Sequence, residues 1–190
     1  MKYILVGIPN AGKSTLGKCA AEILKLPFYD TDKLVIKKIN PKHSHFFSLS
    51  YADRLVEVQK EVLFEIVSKD ESSIIATGAI LPVDGRLDYI LPKIGTIIHI
   101  KRNIELARAD AISKNSLIMV PIGENGERLY EEAINMSEKT VEKYATDLPI
   151  LEKISHFAIE NNDGIESGVE KLVKLITQAM KYDLPCSKVI

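Results

Sequence analysis

Short apolar runs alternate along the chain with longer segments whose apolar positions recur every three or four residues. The runs predict strands at Lys2–Val6, Pro27–Tyr29, Ile74–Thr77, Thr96–Ile100 and His156–Ile159. The longer segments predict helices at Lys13–Leu24, Lys33–Ile39, Tyr51–Ser68, Ile104–Ile112, Arg128–Tyr144 and Ile165–Tyr182, with Asn40-Pro41 stopping the second. On the first helix Leu16, Cys19, Ala20 and Ile23 share a face. On the third the stripe is Leu55, Val58, Val62 and Ile66, and on the last it is Val169, Leu172, Val173, Ile176 and Met180. Strands that read as unbroken apolar runs, each followed by a helix, belong in a parallel sheet covered on both faces. The expected fold class is therefore α/β: a three-layer, five-stranded parallel sheet with helices on both sides. Ligands of such sheets lie beyond the carboxyl ends of the strands. That rule selects Gly7–Ser14, Asp30 and Asp32, Thr77 and Gly78, and Lys101-Arg102.

Composition narrows the classes further. The chain has 190 residues, 46% hydrophobic and 27% charged, which suits a single globular domain spanning 1–190 without repeats or linkers. Lys and Arg number 25 against 26 Asp and Glu, so no broad positive footprint for nucleic acid is expected. Cys19 and Cys186 make no metal or redox spacing. The apolar run before Gly7 is too short for a signal peptide, and no stretch has the length of a membrane span. The expectation is a reduced, soluble, cytoplasmic protein. Nothing in the pattern sets its oligomeric state.

Gly7-Ile8-Pro9-Asn10-Ala11-Gly12-Lys13-Ser14 matches G-x-x-x-x-G-K-[ST] without gaps, after a strand and at the start of a helix. Its glycines let backbone N–H groups turn inward around phosphate oxygens at the positive end of a helix. In this reading Gly7, Pro9, Asn10, Ala11 and Gly12 form the cradle, Lys13 reaches the β- and γ-phosphates, and Thr15 adds a phosphate contact. The Ser14 hydroxyl ligates Mg²⁺. The expected ligands are ATP and Mg²⁺. Pro-Asn within the loop also resembles translation-factor-type GTPases. That family needs Asp-x-x-Gly and Asn-Lys-x-Asp segments, and the chain has neither.

The loop, Phe28-Tyr29-Asp30-Thr31-Asp32, Ile75-Ala76-Thr77-Gly78, the helix of Arg108 with Leu117-Ile118, and Leu129-Tyr130-Glu131-Glu132-Ala133 together resemble the shikimate kinase family. These are phosphate-loop small-molecule kinases related to the nucleoside monophosphate kinases, and the likeness runs from Met1 to about Ile159. It implies ATP-dependent phosphoryl transfer to a hydroxyl of a small polar metabolite. Lys13 and Asp32 would be catalytic, with Asp32 also holding the acceptor hydroxyl. Asp30 would help the Mg²⁺ shell through water, and Arg108 would stack on adenine. Residues 115–127 would be the lid and 33–68 the acceptor-binding helices. Asp30 and Asp32 equally suit capping of the helix that follows.

The acceptor half departs from the family pattern. Three glycines are expected after the third strand, where the chain has Gly78-Ala79-Ile80. The lid arginine is replaced in Asn115-Ser116-Leu117-Ile118, and the arginine four residues before Tyr130 is Gly126. Arg54, with Glu57, is the candidate for the remaining substrate arginine; Gly78 completes the substrate set. Replacement charges are available at Lys101, Arg102, Lys33, Lys37 and Lys38, and shikimate is expected to be a poor acceptor unless Lys101, Arg102 or Arg54 has moved in to replace the missing charge. Other alcohols, such as a sugar acid or a nucleoside, are the alternative acceptors, and a nucleotide-binding protein without transfer activity is the alternative class. His43 and His45 lack further ligands at metal spacing.

Overall fold

The computed structural model describes residues 1–39, 49–78, 90–112 and 146–182, with side chains described at 1–38, 57–78, 90–110 and 146–181. The helix expected at Arg128–Tyr144, the lid, Ala79, Ile80, Asn115, Gly126, the His43–His45 pair and Cys186 lie outside them. So does the side chain of Arg54.

The strands are β1 (Lys2–Val6), β2 (Phe28–Asp30), β3 (Ser73–Ala76), β4 (Thr96–Lys101) and β5 (Phe157–Glu160). They form one five-stranded sheet in the order β2-β3-β1-β4-β5, and every pairing is parallel. The helices are α1 (Lys13–Leu24), α2 (Thr31–Ile39), α3 (Leu49–Val67), α4 (Leu91–Ile94), α5 (Ile104–Ile112), α6 (Leu148–Ile154) and α7 (Ile165–Tyr182). The expected strands are all present, shifted by a residue or so. The short helices α4 and α6 have too few turns to show a period, so the sequence pattern gave no sign of them.

Alternate side chains of each strand enter opposite cores, as the pleat requires. Tyr3, Leu5, Ile74, Ile98 and Ile100 pack with α1, α5 and α7 on one face. Ile4, Val6, Ile75 and Ile97 pack with α2, α3, α4 and α6 on the other. Central β1 is buried at every position. From β1 the chain crosses to β2 and β3 on one side, then to β4 and β5 on the other. The switch point thus falls at the carboxyl end of β1, where the phosphate loop begins.

Two helix stripes differ from expectation. On α1 the buried residues after Lys13 are Leu16, Gly17, Ala20 and Ala21, while Ile23 is exposed. The reason is close packing: a Cβ on Gly17 would stand 2.7 Å from the Phe28 ring and 2.9 Å from Leu5. The bare backbone of Gly17 therefore lies against the sheet, and the helix is rotated to present it. On α7 Ala179 takes the buried position and Met180 is exposed. Apolar residues at a stripe's edge are decided by which small residue permits close approach.

Candidate functional site

The loop between β1 and α1 is built by backbone conformations that its sequence allows. Gly12, the residue before α1, has φ 93°, and Asn10 has φ 58°. Both lie in the left-handed region that glycine and asparagine tolerate best. A Cβ on Gly7 would stand 2.6 Å from the Ile100 carbonyl oxygen, and one on Gly12 would run into the Asn161 amide. Ala11 N–H donates to the Ile8 carbonyl (3.2 Å), which closes the turn. The Asn10 amide reaches the Ala107 carbonyl of α5 at 3.4 Å. Ser14 and Thr15 are exposed in the first turn of α1, with hydroxyls open to a ligand.

Lys13 is buried and its ammonium donates to the carbonyls of Gly7 (3.0 Å) and Ile8 (2.9 Å). The side chain thus folds back over the loop that would hold phosphate. Burial lowers its pKa to about 8, against the opposing pull of the Asp32 and Asp30 carboxylates. Asp32 is affected in the converse way. Burial raises its pKa, the positive charge of Lys13 opposes that, and Asp30 adds to it. The three groups therefore belong to one electrostatic cluster at the ends of β1 and β2.

Of the two carboxylates that suit capping, Asp30 is the one that caps the helix. Helix α2 begins at Thr31, and Asp30 Oδ1 accepts from the Lys33 backbone N–H at 3.2 Å, the bond of an N-cap residue. Asp32 sits inside the first turn, and its carboxylate lies over the α-carbon of Gly78, where a Cβ would run into it. Gly78 N–H donates to Thr31 Oγ1 (2.9 Å), while Thr77 donates through N–H (3.1 Å) and hydroxyl (3.0 Å) to the Leu5 carbonyl. These bonds fix the end of β3 against β1 and α2. The glycine at position 78 is needed so that the Asp32 carboxylate can approach the backbone.

Arg108 lies on α5 beside the residue that Asn10 contacts, part-exposed and paired with Glu105 at 3.4 Å. Four of the five candidate replacement charges have acidic partners, and Lys37 is exposed on α2. Lys101 pairs with Glu152 at 2.8 Å, and Arg102 bonds Asp110 and the Asn161 carbonyl. Lys33 pairs with Asp30, and Lys38 with Glu61 and Glu65. Lys101 and Arg102 thus each have a carboxylate partner in this arrangement.

Two residues of this region were not singled out by sequence. Asn161, just past β5, is buried and its amide donates to the Ala11 carbonyl at 2.8 Å, so it braces the loop from below. Its place after a strand is the signal that identifies it. Gln59 on α3 is buried beside Gly78 and has no such signal, because it interrupts an apolar face.

A Mg²⁺ ion fits the donors present. The Ser14 hydroxyl and the Asp30 carboxylate are hard oxygen donors at the mouth of the loop. Mg²⁺ keeps most of its water and takes one or two protein ligands beside phosphate oxygens. It needs no cluster of three acidic or His/Cys residues, and none occurs among the described residues.

A parallel sheet with a phosphate loop at its switch point and a carboxylate within electrostatic reach of the loop's lysine is the architecture of a phosphate-loop nucleotide-binding protein. The shikimate kinase family model matches residues 9–178. A shikimate kinase of Francisella tularensis subsp. novicida (strain U112) is 31% identical over 166 residues, 82% of this chain and 93% of the relative. The shikimate kinase of Clostridium botulinum (strain 657 / Type Ba4) is 31% identical over 164 residues, 86% and 89% of the two chains. Among solved structures, shikimate kinase from Acinetobacter baumannii in complex with shikimate aligns with TM-score 0.68 at 22% identity, covering 96% of this chain and 94% of that one. That from Bacteroides thetaiotaomicron aligns with TM-score 0.69, also at 22% identity, covering 93% and 98%. The chain belongs to the shikimate kinase family. It is an ATP-dependent kinase acting on a hydroxyl of a small polar metabolite, and the GTPase and inactive readings fall away. No helix among the described residues is long and apolar enough to cross a membrane.

Proposed function

We propose that the chain is one kinase domain that transfers the γ-phosphoryl group of ATP to a hydroxyl of a cyclic polyol, with Lys13 and Asp32 as its catalytic residues. The observation that carries this reading is the Asp32 carboxylate over the bare backbone of Gly78, within electrostatic reach of the loop's Lys13. Loop residues Gly7, Pro9, Asn10, Ala11 and Gly12 cradle the phosphates, Thr15 adds a contact, and Arg108 covers the adenine. Lys13 exchanges its two carbonyl acceptors for phosphate oxygens, where its positive charge meets charge developing on the transferred group. Ser14, with Asp30 through water, would hold Mg²⁺, which would supply positive charge against the charge of the phosphate oxygens. Asp32 accepts the acceptor's hydroxyl proton as the new O–P bond forms, and the bond from the γ-phosphorus to the ADP oxygen breaks. Residues 115–127 close over the site to exclude water, and 33–68 frame the acceptor. A reaction drawing on ATP and Mg²⁺ suits the cytoplasm, with neither nucleic acid nor a membrane as partner.

Shikimate, the ligand in the Acinetobacter baumannii structure, is a poor acceptor in this reading. Lys101 and Arg102 are paired elsewhere, and Gly126 and Asn115 stand where the family carries arginines. Each charged hydrogen bond lost is worth about 1.5–3 kcal/mol, so kcat/KM is expected to be roughly a hundredfold or more below that of a site with both arginines. Steady-state kinetics with shikimate beside other polyols tests this. A kcat/KM for shikimate above ~10⁴ M⁻¹s⁻¹ would contradict it.

A further inference from the structure

We infer that Asn161 is a positioning residue, its amide setting the Ala11–Gly12 peptide so that the Gly12 N–H faces phosphate; this rests on the kinase reading above. Asn161 is 3% exposed, and its Nδ2 donates to the Ala11 carbonyl at 2.8 Å. Its own backbone is held on both sides. The N–H donates to the Lys101 carbonyl at 2.8 Å, and the carbonyl accepts from Arg102 Nη1 at 2.9 Å. The side chain therefore starts from a fixed point beside β4. Its Oδ1 is buried without a hydrogen-bond partner, next to bare backbone on α7 where a Cβ on Gly168 would stand 2.6 Å away. A leucine would fill the space between Gly12 and Gly168 and leave no orphaned side-chain acceptor. What the amide adds is the donor that it aims at the loop.

Peptide geometry turns that donor into an effect on phosphate. No cis peptide occurs among the described residues, so the Ala11 C=O and the Gly12 N–H point in opposite directions. Drawing the carbonyl down to Asn161 sends the N–H the other way, toward the mouth of the loop. Nothing local enforces this orientation. Gly12 has φ 93°, and glycine adopts either sign of φ, so no Cβ stops the peptide from turning over. The carbonyls of Gly7 and Ile8 are held within the loop, by Lys13 Nζ and, for Ile8, also by the Ala11 N–H. The Ala11 carbonyl is instead held from β5's end, by a group that stays in place when Lys13 moves to phosphate. A peptide turned over would present a carbonyl oxygen to the phosphate, replacing attraction with repulsion.

The test measures ADP binding to the full chain by calorimetry, and the Gly12 amide proton by NMR of the isotope-labelled protein. In the parent, ADP should move that resonance downfield, because a hydrogen bond to phosphate deshields the proton. Asn161→Leu is expected to raise the ADP Kd and the ATP KM about tenfold and to abolish the downfield shift. The KM for the fastest of shikimate, quinate and myo-inositol should stay within about twofold of the parent's. Gly168→Ala keeps the amide but pushes on its Oδ1, and it should weaken ADP binding in the same sense by less. An ADP Kd within about twofold of the parent's in a folded Asn161→Leu, or an undiminished Gly12 shift, overturns the inference. So does an equal rise in the ADP and acceptor constants, the mark of general damage. Should Asn161→Leu not fold, Gly168→Ala decides by the same criteria. A parent that binds ADP but phosphorylates none of the polyols overturns the kinase reading alone; one that binds no ADP overturns both.

Discussion

At the scale of single residues, Lys13 and Asp32 carry the chemistry and make separable predictions. Lys13→Ala should lower kcat by roughly 10²–10³ or more while the thermal melt shows an intact fold. Asp32→Asn should lower kcat by ~10²–10⁴ and leave ATP affinity unchanged, since the nucleotide contacts lie in the loop; an unaltered kcat with the preferred acceptor would leave Asp32 a purely structural role. The pH profile follows from the two perturbed groups. Lys13 loses its proton near about 8, so kcat/KM for ATP should fall above that pH as the phosphate-binding charge disappears. Because its folded pKa lies below its ordinary value of 10.5, the unfolded chain binds more protons between the two, and stability should rise with pH over that window. The phosphate loop was legible from sequence because its chemistry needs fixed residue types at fixed spacing. Which of Asp30 and Asp32 caps α2 was not. That depends on whether the helix starts at Thr31 or Lys33, a two-residue difference that periodicity does not resolve. Gln59 and Asn161 were missed for a different reason: their roles exist only once α3 and β5 lie beside β3 and the loop.

At the scale of elements, close backbone approach and one buried histidine set the energetics. Gly17→Ala gains helix propensity yet forces a Cβ against Phe28 and Leu5. The packing cost of about 1–3 kcal/mol should exceed the propensity gain of about 0.5–1, and chemical denaturation should show net destabilisation. A variant as stable as the parent would mean that α1 can lift off the sheet freely. His99 of β4 lies beside Val6 in the register, 1% exposed, with neither ring nitrogen hydrogen-bonded. Burial brings its pKa to about 4, Lys101 and Lys13 add to the shift, and Glu152 opposes it. The unfolded chain therefore binds more protons between about 4 and 6.5, and stability should fall by up to ~1.4 kcal/mol per pH unit as pH drops through that window. His99→Val should flatten this dependence, as measured by melting at pH 7 and pH 4.5; an equal slope in parent and variant would assign the acid loss to other groups. Strand positions were readable because buried parallel strands are continuous apolar runs. Helix faces were less so: the rotation of α1 follows from the absence of a side chain at Gly17, which apolar periodicity does not weigh.

At the scale of the whole molecule, strand order turns local signals into a site. With β1 central and the chain switching sides around it, the ends of β1, β2 and β3 bring Lys13, Asp32 and Gly78 together, and β5 places Asn161 under the loop. The family likeness extends across nearly the whole chain, and two of the candidate cations, Lys101 and Arg102, pair with Glu152 and Asp110. The most direct test of the account is ADP release with saturating ATP and Mg²⁺, with and without a panel of cyclic polyols, for the parent and Asp32→Asn. The account predicts ADP formed in step with phosphorylated acceptor, almost none without acceptor, and a collapse of acceptor-dependent turnover in the variant. ADP release at one rate whether or not a polyol is present, or undiminished by Asp32→Asn, would contradict it.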